Sequence, residues 1–180
     1  MIKRLSPVVI LLAIMWLVFG VNFLLFNGSL NHWGLQPRTL SGLWHIPCVP
    51  FLHANLQHIV SNSIPFLILG GIISLQSPSR FAMVTIMGTI LGGLITWLIG
   101  RNACHIGASG LIFCYFGFIL ASAIYKRTMG SIVLAVLTFI AYGGILWGLM
   151  PQALVSWEGH AAGLISGVFI AWSEVKVSKA

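Results

Sequence analysis

Ser109 stands between Gly107 and Gly110, where a polar segment, Arg101 to His105, gives way to the apolar run Leu111 to Tyr125. Glycines on both sides let the backbone turn sharply and let another group approach the hydroxyl. The apolar run predicts a helix, whose first N–H groups have no partner within it and are ready donors to an anion. Alone, Gly107-Ala108-Ser109-Gly110 is described equally well as the packing face of a membrane helix. A serine becomes a nucleophile when an adjacent base takes its proton, and neutral histidine, which titrates near pH ~6.5, suits that task. His160 is the candidate base. The chain has no aspartate, and its two acids are Glu158 and Glu174. Glu174 falls at the far end of the segment that His160 opens, and Glu158, two residues before His160, falls on a different helix face. The inventory therefore points to a serine-histidine dyad with the histidine oriented by packing, not to an acid-histidine-serine triad. Taken alone, His160 also reads as a helix-start histidine bonded to a loop.

His58 and Asn62 supply a third element. Positions i and i+4 share a helix face, so the two side chains project together, one turn apart. With the backbone N–H of Ser109 they form a set of donors able to hold the oxygen of a tetrahedral intermediate, each well-aimed donor being worth about 2.7–4 kcal/mol of barrier. A polar pair that ties two helices together has the same spacing. Pro65 removes a backbone bond to the carbonyl of Ser61, which predicts a kink near Asn62. His53, Asn55 and Gln57 precede this segment and are expected to wet its outer mouth. His32, His45 and His105 are expected to be solvated loop residues.

These residues need elements to carry them, and the composition says which. Of 180 residues, 58% are hydrophobic and 6% are charged, and the mean hydropathy is +1.01. Such a chain belongs in a membrane. Six apolar segments follow one another, 7–26, 59–75, 81–99, 107–125, 131–150 and 159–175. Each approaches the roughly 20 residues with which a helix crosses about 30 Å of hydrocarbon, where an unpaired strand would leave its backbone unsatisfied. The expected fold is an all-α membrane protein, one domain over 1–180 built as a six-helix bundle. With the N-terminus in the cytoplasm, Lys3, Arg4, Arg80, Lys126, Arg127, Lys176 and Lys179 are inside, and Arg38 and Arg101 are outside. That bias places both termini in the cytoplasm. The second, fourth and sixth segments then run in the same direction, so His58, Ser109 and His160 share one layer near the outer face. Gly163 and Gly167 give the sixth segment a small-residue face for close packing, and Gly107 and Gly110 lie on the segment it would have to meet.

The net charge of +7 is spread as ones and twos at the ends of apolar runs, which fits topology control and not nucleic-acid binding. The first segment, behind Lys3 and Arg4, has no small-x-small cleavage site and reads as a retained span. Cys48, Cys104 and Cys114 lack a C-x-x-C spacing, and no pairing of Cys48 with Cys104 is expected. Six histidines raise a metal or haem alternative, but no H-E-x-x-H or comparable spacing exists, and neither a metal nor a cofactor is expected.

Phe51-Leu52-His53-Ala54-Asn55-Leu56-Gln57-His58 with Asn62, Gly107-Ala108-Ser109-Gly110, and His160-Ala161-Ala162-Gly163 with Gly167, in this order, resemble the motifs of the rhomboid intramembrane serine proteases. The resemblance runs from about Trp44 onward. It implies a six-span fold in which Ser109 is the nucleophile, His160 the base, and His58 and Asn62 the oxyanion side chains. It also implies that Phe113 stands where many relatives stack a tyrosine on the catalytic histidine. Where many relatives carry a tryptophan-arginine pair in the first outer loop, Trp44 is followed by His45 and Arg38 stands elsewhere. Segment five, with Tyr142, Gly143, Gly144 and Gly148, matches the movable wall through which substrate enters; ordinary packing accounts for those glycines as well. The implied activity is hydrolysis of a peptide bond in or near a transmembrane segment of another protein, at a bacterial inner membrane, with the site open to the extracytoplasmic side. Two other classes are open: a non-catalytic relative that binds membrane helices, and a metal- or haem-binding membrane protein.

Overall fold

The structure, a computed structural model, describes residues 2–152 and 155–177; Lys179, counted above among the inner basic residues, lies outside them. Among the described residues the chain is helical, and the only strand-like pairing is a bridge between Leu35 and His105. Seven α-helices follow in order: α1 (Ile2–Leu25), α2 (Leu40–His45), α3 (Leu56–Gln76), α4 (Pro78–Ile99), α5 (Ser109–Lys126), α6 (Met129–Tyr142) and α7 (Trp157–Val177). Three 3-10 turns, Ser29–Trp33, Ile46–Phe51 and Gly143–Leu149, complete the set. Among the described residues, five helices are long and apolar enough to cross a membrane, counting α6 together with the turn that follows it. The sixth expected span, α7, has the length at 21 residues. It is not among those five, because its first turn carries Glu158 and His160 and its last carries Glu174 and Lys176.

Local chemistry sets where the helices begin. Asn55 caps α3 by accepting from the His58 N–H, and Ser77 caps α4 by accepting from the Arg80 N–H with Pro78 in the first turn. Thr128 and Ser131 cap α6 reciprocally. Pro65 lies within α3, which continues unbroken around it. The segment expected as one helix over 131–150 divides at Tyr142, and its second part winds as a 3-10 turn. Gly143, Gly144 and Gly148 fall in that turn, where their low helix propensity weakens the α form.

The stretch expected as a long outer loop is ordered by its own bonds. Asn22 Nδ2 donates to Asn31 Oδ1 at 3.1 Å, and Asn31 Nδ2 donates to the His53 carbonyl at 3.3 Å. Arg38 takes the anchoring role: its guanidinium donates to the Gly100 carbonyl at 2.7 Å, and the Trp97 indole returns a bond to the Thr39 carbonyl at 2.8 Å. These bonds fasten the loop to the end of α4. Trp44 is 82% exposed and contributes nothing to that attachment.

The core is built around α5, in which every residue from Leu111 to Ile119 is buried. α7 lies against it with almost no side chain between the two backbones. A Cβ on Gly163 would fall 1.9 Å from the Gly110 carbonyl oxygen, and one on Gly167 would fall 2.0 Å from that of Cys114. Gly117 of α5 faces the Leu164 carbonyl in the same way. Because lipid offers helices no hydrophobic drive to associate, such small-residue faces supply the van der Waals contact that holds them. Outward, α1 and α6 expose Leu17, Phe23, Leu24, Leu137 and Ile140, a lipid-facing surface.

Gly163→Ala is expected to lower the thermal unfolding midpoint in detergent by the equivalent of ~1–3 kcal/mol, because its methyl group must push two backbones apart. Gly20→Ala, inside α1 where a Cβ meets nothing within 4 Å, is expected to leave the midpoint no lower than in wild type.

Candidate active site

Ser109 is the first residue of α5, and the residue before it, Ala108, offers no side-chain cap to the helix. The first N–H groups of α5, up to the Ile112 N–H that bonds the Ala108 carbonyl, therefore have no partner within the helix. Gly107 makes the approach to this turn possible: its φ is +115°, a conformation that L side chains rarely adopt, and its N–H donates to the Val49 carbonyl at 2.9 Å.

α7 brings His160 to this point. His160 Nε2 lies 2.8 Å from Ser109 Oγ, and His160 Nδ1 lies 2.7 Å from the Gly148 carbonyl oxygen. A carbonyl only accepts, so Nδ1 must carry the proton. Nε2 is left with its lone pair toward the serine, whose hydroxyl donates to it. Phe113 stacks on the imidazole at 4.4 Å between ring centroids with planes 8° apart. Gly148 has to be small, because a Cβ there would lie 2.9 Å from His160 Nδ1 and 3.2 Å from the Phe113 ring. The histidine is thus oriented by a backbone carbonyl as well as by packing. Gly148 stood in the sequence only as one of several glycines of segment five, and nothing in its context marked its carbonyl as a partner.

Neither acid hydrogen-bonds the imidazole, whose two nitrogens are taken by Gly148 and Ser109. Glu158, 3% exposed, pairs with Arg101, whose Nε lies 3.6 Å from Glu158 Oε1. Arg101 also donates to the Gln152 and Val155 carbonyls. His105 is buried at 4% exposure, which corrects its expected placement as a solvated residue. Its ring bridges Ser156 Oγ at 2.6 Å and the Arg101 carbonyl at 3.1 Å. Arg101, His105, Ser156 and Glu158 together fasten the connection that leads into Ser109 to the start of the helix that carries His160. His45 is half-buried, with Nδ1 3.1 Å from the Gly34 carbonyl oxygen, and so is not simply solvated either; His32 is exposed as expected.

His58 and Asn62 converge on the space over Gly107. A Cβ built on Gly107 would lie 2.6 Å from His58 Nε2 and 3.7 Å from Asn62 Nδ2. The Ala54 N–H approaches His58 Nδ1 at 3.4 Å. Nδ1 accepts there, which leaves the proton on Nε2, facing Gly107. Asn62 is 7% exposed, and its Nδ2 has no hydrogen-bond partner among the described residues. A buried donor left unpaired costs about 1–3 kcal/mol, so its presence calls for an acceptor that arrives from outside. A cavity of about 50 Å³, bordered by Thr96, His105, Ser109 and Ser156, opens beside the serine on the α4 side.

A Rhomboid domain model matches residues 40–177. The chain belongs to the rhomboid family. An uncharacterized Mycobacterium tuberculosis protein is 40% identical over 178 residues, 93% of this chain and 73% of its own length. A Bacillus subtilis protein, provisionally named a rhomboid protease, is 24% identical over 184 residues, 94% of this chain and 89% of its own length. Rhomboid-related protein 1 of Caenorhabditis elegans is 25% identical over 146 residues, 76% of this chain and 41% of its own length. In this rhomboid chain, Ser109, His160, Phe113, His58 and Asn62 are contributed by α5, α7 and α3, and Gly107, Gly110, Gly163 and Gly167 are the points at which those elements approach one another. The three cysteines are free.

His53 departs from its expected role at a wet outer mouth. It is 1% exposed, and its ring stands edge-on to His58 at 5.0 Å. Burial, and then the neighbouring His58 ring, push its pKa down to about 4. The unfolded chain takes up this proton near pH 6.5 and the folded chain near 4, so the unfolded state binds more protons between those values. Stability is expected to be complete above pH ~6.5 and to fall toward pH ~4, by up to about 3 kcal/mol. Thermal unfolding across that range should show the slope in wild type, and His53→Leu should flatten it; an equal slope in both contradicts the assignment.

Proposed function

We propose that this rhomboid protein is an intramembrane serine endopeptidase, with Ser109 as nucleophile and His160 as general base. The observation that carries the reading is the 2.8 Å contact between Ser109 Oγ and an imidazole nitrogen whose partner nitrogen is held by the Gly148 carbonyl. As Ser109 Oγ attacks a scissile carbonyl carbon, its proton passes to His160 Nε2, and the Gly148 carbonyl steadies the imidazolium that forms. The carbonyl oxygen becomes an oxyanion, and His58 Nε2–H, Asn62 Nδ2–H and the Ser109 N–H are the donors that face it. His160 then gives its proton to the leaving amine, and the acyl-enzyme is hydrolysed by a water that His160 deprotonates.

The substrate in this reading is a transmembrane segment of another protein. A helical peptide carbonyl is already hydrogen-bonded within its helix, so the segment must unwind locally to present one. Small or helix-breaking residues near the cut favour that unwinding, and the cavity of about 50 Å³ beside Ser109 fits a small side chain. The chain acts as a single domain with six spans, α7 being the sixth, in which Glu158 is neutralised by Arg101 and Glu174 by Arg80 and Lys126. Both termini face the cytoplasm by the distribution of basic residues, and the site opens on the outer side of a bacterial cell membrane.

The test is cleavage of a transmembrane substrate by reconstituted protein. Ser109→Ala is expected to abolish it and His160→Ala to lower kcat by about 10²–10⁴-fold, the usual contribution of a general base. Asn62→Ala is expected to cost about 10²–10³-fold in kcat with little change in KM, since its donor acts on the transition state. Cleavage that survives Ser109→Ala overturns the proposal.

A further inference from the structure

We propose that a second cavity, at the end of the bundle remote from Ser109, binds the phosphate headgroup of an anionic phospholipid. The cavity is about 470 Å³ and lies among the C-terminal half of α5, the start of α6 and the turn between α3 and α4. Ser109 begins α5 and Lys126 ends it, which separates the two sites by about 25 Å of helix. The inference is independent of the hydrolase reading.

The chemistry of the lining points to a phosphate. Arg80 and Lys126 both border the space, and they share a single carboxylate, Glu174, at 2.5 Å and 2.8 Å. One positive charge therefore has no counter-charge within the cluster. Ser122, also on the wall, is 8% exposed, and its Oγ has no hydrogen-bond partner among the described residues. The first turn of α6 borders the same space, where the positive end of the helix dipole favours an anion. A phosphodiester oxygen would accept from the Ser122 hydroxyl and from Lys126 Nζ and would balance the unmatched charge.

The remaining wall distinguishes a lipid from a free anion. Phe118, Ile119 and Leu134 line the cavity beside the polar groups. Dissolved phosphate gains nothing from an apolar surface, whereas the glycerol and upper acyl carbons of a phospholipid would cover it. The position also suits a headgroup, because Arg80, Lys126 and Thr128 mark the ends of membrane-crossing helices.

The experiment uses the full chain in detergent with dioleoyl phosphatidylglycerol, dioleoyl phosphatidylcholine or inorganic phosphate added, read by lipid retention in native mass spectrometry and by the thermal unfolding midpoint. Phosphatidylglycerol is expected to remain bound and to raise the midpoint, and the other two are not. Lys126→Gln should weaken retention about fivefold, the factor that ~1 kcal/mol per basic residue at an anionic surface implies. Lys176→Gln, an equal charge change outside the cavity, should leave retention as in wild type. Should Lys126→Gln unfold, Ser122→Val, which removes only the unpaired hydroxyl, carries the same expectation. Equal retention of phosphatidylcholine, equal losses in the Lys126 and Lys176 variants, or an inorganic-phosphate effect as large as that of the lipid would each overturn the proposal.

Discussion

The close approach of α7 to α5 is the constraint on which the rest depends. Gly163 and Gly167 leave no room for a methyl group before the carbonyls of Gly110 and Cys114. Helices usually pack 8–10 Å apart, and glycine faces allow the near end of that range or less. At that separation His160, one turn before Gly163, reaches Ser109, one residue before Gly110. A larger residue in the seam would open the contact between base and hydroxyl without touching either group. The polar cluster of Arg101, His105, Ser156 and Glu158 fixes the same two elements at their ends, so that neither can slide along the other.

Within that frame, a backbone carbonyl orients His160 at the place where a soluble triad has an acidic side chain. A carboxylate beside His160 would add a second charge to a site at membrane depth, where ionised groups are costly. A carbonyl imposes the same tautomer at a lower desolvation cost. The two histidines of the site are held in opposite protonation patterns by opposite partners. Gly148 O accepts from His160 Nδ1, which leaves the Nε2 lone pair toward Ser109; the Ala54 N–H donates to His58 Nδ1, which places a proton on Nε2. One imidazole is thereby an acceptor toward the serine and the other a donor toward the space over Gly107.

Much of this was legible in the sequence. The run lengths implied successive apolar helices, the motif residues named His58, Ser109 and His160 as neighbours, and the Gly163–Gly167 spacing implied which helices touch. What escaped the sequence was carried by backbone groups and by loops, which have no periodicity to read. The role of the Gly148 carbonyl depends on the 3-10 turn after Tyr142, and the expected uninterrupted helix would have turned that carbonyl along its own axis. His53 and His105 were expected in water because they flank apolar segments, but loop 27–57 folds over the bundle and buries them. Arg38 ties loop 27–57 to the end of α4 through the Gly100 carbonyl, a contact that only three-dimensional proximity reveals.

The most direct measurement of the central claim is to treat folded protein with a fluorophosphonate and to map the adduct by peptide mass spectrometry. Attack by an activated hydroxyl predicts a single adduct on Ser109 that is absent when His160 is replaced by alanine. An adduct on another residue, or no adduct in folded wild type, would contradict the claim that the α5–α7 seam builds a nucleophile.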